Sequence, residues 1–227
     1  MKLTAFKYGV TTLPESMAFK GGNKEKELPI SLLFFLAETE NKKILIDVGC
    51  DTMPGFLLTE FKKPVEVLED YGIKKEEITD VFLTHAHHDH IDCVHYYENA
   101  NIHLHKDAYE MSKNYLKNNK NVFTFENEVH LAQGVCGKYI GGHEKGSSIV
   151  IIENGNDIYV LCGDECYTKE NLAENKLTGS SVCPEKSMAF LEEYRKDKYK
   201  TILFHAPDVV KTIGFEIICW QNKGKVL

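Results

Sequence analysis

The segment Thr84–Cys93, THAHHDHIDC, holds the densest group of potential metal ligands in the chain. It places His85, His87, Asp89 and His90 within six residues, directly after the apolar run VFL, which is typical of a strand. Imidazole nitrogens and carboxylate oxygens are ligands for Zn²⁺, Mn²⁺ and Fe²⁺. Four such side chains do not easily surround one tetrahedral ion. The segment therefore favours a site at a strand end that is divided between two ions.

Three distant residues point to the same place. The stretch Ser147–Gly163 has two apolar runs around an Asn-Gly pair, which predicts a β-hairpin. His143 precedes the first run and Asp164 follows the second, and a hairpin brings its two outer ends together. His205 follows the run TILF just as His85 follows VFL. These residues make the alternative, a polar loop of hydrogen-bonded histidines, the weaker interpretation.

The pattern of apolar runs predicts an α/β or α+β fold with packed sheets. Beyond the hairpin, predicted strands cover Ser31–Ala37, Lys43–Val48, Thr79–Thr84, Asn101–His105, Thr201–Phe204 and Phe215–Cys219. Predicted helices cover Pro64–Tyr71, Lys106–Lys117 and Pro184–Lys196. Polar loops are expected over residues 20–28 and 117–122. No linker composition interrupts the chain, so we expect a single domain over residues 1–227.

Composition argues against several classes of function. The formal net charge is −7, from 27 Lys and Arg against 34 Asp and Glu, so we expect neither nucleic acid nor an anionic membrane as a partner. The longest apolar run, Ile30–Ala37, is too short to span a bilayer, and we expect no secretory signal in the first residues. The cysteine count is 7, with scattered spacing and no C-x-x-C, which favours reduced thiols and a cytoplasmic location.

The H-x-H-x-D-H motif, followed by His143, Asp164 and His205, resembles the metallo-β-lactamase superfamily. The resemblance runs from the stretch LIDVG at residues 45–49 to His205 and includes GIKKEEITDVFLTHAHHDH. It implies a four-layer αββα sandwich with the metals at one edge of the two sheets. It also implies the ligands: His85, His87 and His143 for the first metal, Asp89, His90 and His205 for the second, and Asp164 bridging both. Zn²⁺ is the expected metal, with Mn²⁺ or Fe²⁺ as alternatives.

Other polar residues leave alternatives open. Tyr167, three residues after Asp164, resembles a tyrosine of acyl-homoserine lactonases that contacts the substrate carbonyl, but it equally fits a packed ring. Asp47 either accepts an N–H from a ligand imidazole, as the resemblance implies, or caps a glycine turn. Cys162 and Cys166 flank Asp164; thiolates bind zinc, but we favour small buried apolar residues. The remaining histidines are expected to face away from the site or to lie in the core or on the surface: His88, His95, His103, His105 and His130.

The favoured interpretation is a binuclear metal-dependent hydrolase. A hydroxide held between the metals attacks a carbonyl carbon of an ester, lactone or thioester of a small metabolite. Asp89 orients that hydroxide or takes up its proton, and Tyr167 favours lactones. Two alternatives on the same fold are a di-iron oxidoreductase resembling sulfur dioxygenases and a phosphodiesterase resembling ribonuclease Z. A third is a non-catalytic metal-binding protein.

Overall fold

Two β-sheets and flanking helices make up the fold, as seen in a computed structural model that describes residues 1–220. The strands, in chain order, are β1 (Lys2–Pro14), β2 (Glu27–Glu38), β3 (Lys43–Ile46), β4 (Glu60–Phe61), β5 (Asp80–Phe82), β6 (Asn101–His105), β7 (Asn121–Phe125), β8 (Glu128–Ala132), β9 (Val135–Tyr139), β10 (Ser148–Asn154), β11 (Asp157–Leu161), β12 (Tyr199–Ile202) and β13 (Gly214–Trp220). The α-helices are α1 (Glu15–Ala18), α2 (Pro64–Asp70), α3 (His88–Ile91), α4 (Lys106–Leu116), α5 (Lys169–Glu174) and α6 (Pro184–Tyr194). Short 3-10 helices cover Lys75–Glu77 and Asp92–Tyr97. Within residues 1–220, no helix has the length and apolar character needed to cross a bilayer.

The first sheet is 8-stranded over the described residues, in the order β13-β1-β2-β3-β5-β6-β7 with β4 paired to β1. Strands β3, β5, β6 and β7 run parallel to one another. The apolar sequences of β3 and β5 suit this arrangement, because parallel strands are buried on both faces. Their carboxyl ends meet at one edge, so the histidine-rich segment after β5 starts at that edge.

The second sheet is 5-stranded over residues 1–220, in the order β12-β11-β10-β9-β8. The predicted hairpin is present as β10 and β11, with Asn154 paired to Asp157. Gly155 opens the intervening turn at a φ of 70°, a backbone conformation that glycine adopts readily. Strand β12 runs parallel to β11, so Asp164 and His205, which follow these strands, leave the sheet at the same edge.

Among the described residues, three separate apolar clusters show how the layers stack. One lies between the first sheet and its helices and includes Leu68 of α2. A second lies between the two sheets, where the rings of Phe35 and Phe204 are 4.6 Å apart. The third lies outside the second sheet and includes Phe190 of α6. Helix, sheet, sheet and helix layers therefore follow in turn, which confirms the predicted αββα sandwich.

Each predicted strand and helix overlaps an element of the structure, but both predicted loops are too long. Residues 27 and 28 already belong to β2, and Asn121 and Val122 begin β7. Strand β7 was missed because it lies at the sheet edge with mostly exposed side chains, so it has no buried alternating pattern. Strands β1, β4, β8 and β9 were also not predicted. That residues 1–227 form a single domain stays a prediction.

Candidate metal centre

Asp47, which follows β3, organises the turn after β5. The backbone N–H and the hydroxyl of Thr84 donate to its two carboxylate oxygens at 2.7 Å each. His90 Nδ1 lies 2.6 Å from Asp47 Oδ2. Asp47 is fully buried and adopts a φ of 56°. It therefore contacts the imidazole of a predicted ligand, as the first of its two interpretations requires, and also ties that imidazole to the end of β5.

The first group of possible ligand atoms comes from His85, His87, His143 and Asp164, all within 4.8 Å of one another. His143 Nε2 lies 3.0 Å from His87 Nδ1 and 3.5 Å from Asp164 Oδ2. The hydroxyl of Thr84 lies 3.0 Å from His85 Nδ1. Because that hydroxyl donates to Asp47, its oxygen accepts from His85 Nδ1–H, which leaves Nε2 of His85 facing the group.

The second group contains Asp89, His90 and His205. Asp89 Oδ2 lies 3.6 Å from His90 Nε2 and 3.7 Å from His205 Nε2. The Nδ1–H of His205 donates to the carbonyl of Ser31 at 2.9 Å, so its Nε2 faces the group. Each of these imidazoles is thus oriented by a partner on its other nitrogen, a common feature of metal-binding histidines.

Asp164 lies between the two groups. Its Oδ2 is 3.6 Å from His85 Nε2, while its Oδ1 is 3.1 Å from His90 Nε2 and 3.0 Å from His205 Nε2. One oxygen therefore faces each group, as a bridging carboxylate requires. The structure brings together every residue predicted as a ligand, and their role in binding metal stays a prediction.

Two buried ring nitrogens without a hydrogen-bond partner indicate that these residues fit a pair of metal ions. The Nε2 atoms of His85 and His90 are buried and have no hydrogen-bond partner, although both lie beside the Asp164 carboxylate. Buried polar atoms without a partner are costly, and a bound cation would satisfy both. The donor set of nitrogens and carboxylate oxygens suits divalent ions such as Zn²⁺, Mn²⁺ or Fe²⁺.

Electrostatics keep two of these imidazoles neutral. Burial lowers the pKa of His143 to about 4, although the Asp164 carboxylate acts in the opposite direction. Burial and repulsion from His90 likewise hold the pKa of His85 well below its usual value. Burial raises the pKa of Asp164, but attraction to His90 and His205 outweighs it and holds that pKa well below its usual range. The neutral imidazoles of His85 and His143 and the ionised Asp164 carboxylate are in the protonation states that metal binding requires. Burial lowers the pKa of His90 and of His205, but attraction to Asp164 outweighs it and raises both, so these two imidazoles would lose a proton on binding metal.

Tyr167 is buried beside both groups. Its hydroxyl donates to Asp164 Oδ2 at 3.1 Å. Its ring stacks on His205 at 5.5 Å and meets the edge of His143 at 6.1 Å between centroids. The side chain is therefore both packed and in contact with the predicted ligands, so its two interpretations are compatible.

The cysteines beside Asp164 lie elsewhere. Cys162 and Cys166 belong to the apolar cluster outside the second sheet, and their thiols donate to backbone carbonyls. Burial raises the pKa of Cys166 to about 12, so its thiol stays protonated. Neither thiol belongs to the groups of possible ligands found within residues 1–220, which agrees with small buried apolar residues.

The other histidines contact different partners. His88 turns away from the two groups and lies within hydrogen-bond distance of Tyr115 and of the Thr52 carbonyl. The remaining four pair with an acidic side chain or a backbone carbonyl elsewhere: His95, His103, His105 and His130. These contacts agree with the expectation that none of the five reaches the site.

Sequence reasoning missed Glu165. Its buried carboxylate accepts the backbone N–H groups of Gly142 and His143 at 3.1 Å each, and the hydroxyl of Ser147. Glu165 therefore holds the His143 turn against the Asp164 turn. Burial raises its pKa to about 7. An acidic residue beside Asp164 in a mostly apolar stretch was the available signal, but its partners lie 18 to 23 residues away in the chain.

Comparison with known proteins defines the class. The family model described as the metallo-beta-lactamase superfamily matches residues 31–206. This range covers most of the chain and every residue of the two groups. The chain therefore belongs to the metallo-beta-lactamase superfamily, and it is a metal-dependent hydrolase of that superfamily.

Several of the individual proteins that this chain resembles are N-acyl homoserine lactonases. The chain is 26% identical to an N-acyl homoserine lactonase of Bacillus cereus over 81% of this chain and 83% of that protein. It is 21% identical to the N-acyl homoserine lactonase AiiB of Agrobacterium fabrum, over 78% and 79%. Among solved structures, an N-acyl homoserine lactone hydrolase with N-hexanoyl-L-homoserine at its catalytic metal centre matches with a TM-score of 0.79, 22% identity and 90% and 92% coverage. The dizinc lactonase AidC matches with a TM-score of 0.74, 20% identity and 97% and 95% coverage.

Proposed function

We propose that this protein opens the ring of small acylated lactones, with N-acyl homoserine lactones as the first candidates. We assign His85, His87 and His143 to one divalent ion and Asp89, His90 and His205 to a second, with Asp164 shared. Zn²⁺ is the proposed metal, supported by the nitrogen-rich donor set and the dizinc relative. Bound ions of this kind acidify water and polarise a carbonyl oxygen.

The position of the Tyr167 hydroxyl carries the proposal. It donates to Asp164 between the two groups of ligands, so a substrate carbonyl placed at the ions lies next to it. Burial and the nearby Asp164 carboxylate raise the pKa of Tyr167 well above its usual value, so the phenol remains protonated. With substrate bound, the single O–H of Tyr167 would turn from Asp164 to the carbonyl oxygen, where it stabilises the negative charge that develops in an ester or lactone.

Asp89 is the residue that we propose acts on the attacking water, complementing the Tyr167 donor. Its carboxylate lies beside His90 and His205 and is partly exposed, so water reaches it. We assign it the orientation of the attacking water and the acceptance of its proton. A donor on one side of the carbonyl and a carboxylate base on the other suit acyl transfer to water.

Purified protein of measured metal content should be offered N-acyl homoserine lactones, thioesters and phosphodiesters, with and without chelator. We expect chelator-sensitive ring opening, seen as addition of one water by mass spectrometry. Tyr167→Phe should keep its metal and lose about 10²-fold in kcat, as when an oxyanion donor is removed. The matched control is Tyr194→Phe, which changes a buried tyrosine in the apolar cluster outside the second sheet and should remain active.

The same panel distinguishes the alternatives. Phosphodiester cleavage without lactone opening would favour the nuclease, and paired iron with a redox signal would favour the oxidoreductase. Metal-loaded protein that turns over none of these substrates would favour the non-catalytic metal-binding protein. Any of these results would reject the lactonase proposal. A cytoplasmic location and the absence of nucleic acid and membrane partners remain proposals, the first supported by seven free cysteines.

A further inference from the structure

Ser180 lies beside the candidate metal centre but belongs to neither group of possible ligands. Ser180 is in the segment between α5 and α6. Its Oγ is 3.3 Å from His143 Nδ1 and 3.2 Å from the Tyr167 hydroxyl. It therefore links the outer nitrogen of one predicted ligand to the side chain proposed to contact the substrate.

The donors along this link point in one direction. The Tyr167 hydroxyl donates to Asp164, so its oxygen accepts from the Ser180 hydroxyl. The Ser180 oxygen then accepts from His143, which requires the proton of that imidazole to be on Nδ1. A neutral imidazole protonated on Nδ1 has its lone pair on Nε2, the atom that faces His87 and Asp164.

We propose that Ser180 is a positioning residue that fixes the Nδ1–H form of His143 and, through the same hydroxyl, the orientation of Tyr167. Its effect on metal binding is independent of the substrate. Only its consequence for catalysis rests on the proposed lactonase function.

The backbone around Ser180 is held on both sides. The N–H of Gly179 donates to the carbonyl of Met17 at 2.8 Å, and a Cβ at Gly179 would meet the Ser16 carbonyl oxygen at 1.7 Å. The N–H groups of Val182 and Cys183 donate to the carbonyl of Gly142 at 2.9 and 3.0 Å. Because these contacts do not involve the Ser180 side chain, Ser180→Ala removes the hydroxyl and leaves the segment in place.

Ser181 provides a matched control on the same segment. Its hydroxyl contacts the Gly142 carbonyl at 3.1 Å and the Ser187 hydroxyl at 2.7 Å, and none of its hydrogen bonds reaches His143 or Tyr167. Ser181→Ala therefore removes the same group at the neighbouring position without breaking the link.

The test measures the affinity of the full chain for Zn²⁺ by chelator competition, without substrate. Ser180→Ala should bind Zn²⁺ about tenfold more weakly, the lower end of the effect of losing a ligand's hydrogen-bond partner. Ser181→Ala should match the parent, and Ser180→Thr, which keeps the hydroxyl, should recover most of the loss. In the Tyr167→Phe background the loss should shrink, because the serine hydroxyl is no longer directed by the phenol.

Unchanged Zn²⁺ affinity in Ser180→Ala, or no binding by the parent, would overturn the proposal. An equal loss in both backgrounds would overturn the link through Tyr167. A failure of Ser180→Thr to recover affinity, or an equal loss in Ser181→Ala, would show a merely structural role. Protein that binds Zn²⁺ as expected but opens no lactone would reject the proposed function and leave this inference standing.

Discussion

Two buried carboxylates, Asp80 and Asp164, belong to clusters at the opposite ends of β5, and the clusters differ in the source of their positive charge. Asp80 begins the strand and contacts Lys42 and His103, each at 3.0 Å. The cluster beyond its other end centres on Asp164, whose ion partners within residues 1–220 are imidazoles, with no Lys or Arg among them.

The two clusters differ in whether the chain itself supplies a permanent cation. At Asp80 the ammonium group of Lys42 balances the negative charge of the carboxylate, so no external cation is needed. At Asp164 the partners are imidazoles that we assign to metal ions, and the buried Nε2 atoms of His85 and His90 have no hydrogen-bond partner, which a bound cation would supply. A buried carboxylate surrounded by histidines rather than lysines therefore indicates a metal site.

Asp164→Ala should have the largest effect. Each group loses the carboxylate oxygen that Asp164 turns toward it, so metal content should fall and turnover should drop by at least about 10³-fold, or roughly 4 kcal/mol of transition-state stabilisation. His87→Ala should also lose metal and activity. Elemental analysis and lactone kinetics measure these effects, with Asp80→Asn as the carboxylate control. Full metal content and activity in either ligand variant would refute the assignment.

Asp47→Asn should have an intermediate effect on the same site. His90 would lose a charged partner on Nδ1, which should weaken metal binding by about 10- to 100-fold. Chelator competition measures the change. Asp51→Asn, whose carboxylate contacts Tyr96 rather than a predicted ligand, should bind metal normally. Equal affinity in the two variants would show that Asp47 only supports the turn.

Asp80→Asn should reduce stability and spare the metal site. Burial raises the pKa of Asp80, but its hydrogen bond to His103 and attraction to Lys42 outweigh burial and hold the pKa well below its usual range. The carboxylate therefore stabilises the fold above about pH 4 and loses this effect as the pH falls further through the folded-state pKa.

The substitution should cost about 2 kcal/mol at pH 7, the scale of a hydrogen bond to a charged group. It should also flatten the decline in stability at acid pH. Urea unfolding at several pH values measures both effects. A parallel decline in the parent and the variant would show that Asp80 does not contribute to the acid transition.

Lys42→Ala should have the smallest effect. The Lys42 side chain is 36% exposed, so solvent screens its ion pair with Asp80, and the loss should be below about 1 kcal/mol. The loss should shrink further in high salt. Thermal unfolding at two salt concentrations provides the test. A loss larger than that of Asp80→Asn would show that Lys42 contributes more than a solvent-screened ion pair.

Prediction from the sequence succeeded where neighbours along the chain carry the signal. The run from His85 to His90 reveals its chemistry within six residues, and the hairpin pattern predicts that His143 and Asp164 meet. Strand β7 has no such signal, because its exposed edge position leaves no apolar alternation. Ser180 is an ordinary loop serine in the sequence, and only its contacts distinguish it.

The kinds of ligand atoms, their order along the chain and the strands that precede them follow from composition and local spacing, so they can be read without a structure. Tertiary structure alone decided that Asp164 turns one oxygen to each group, that Asp47 holds His90 and that Lys42 reaches Asp80. These contacts join residues about forty to eighty positions apart, and sheet order and register decide such distances.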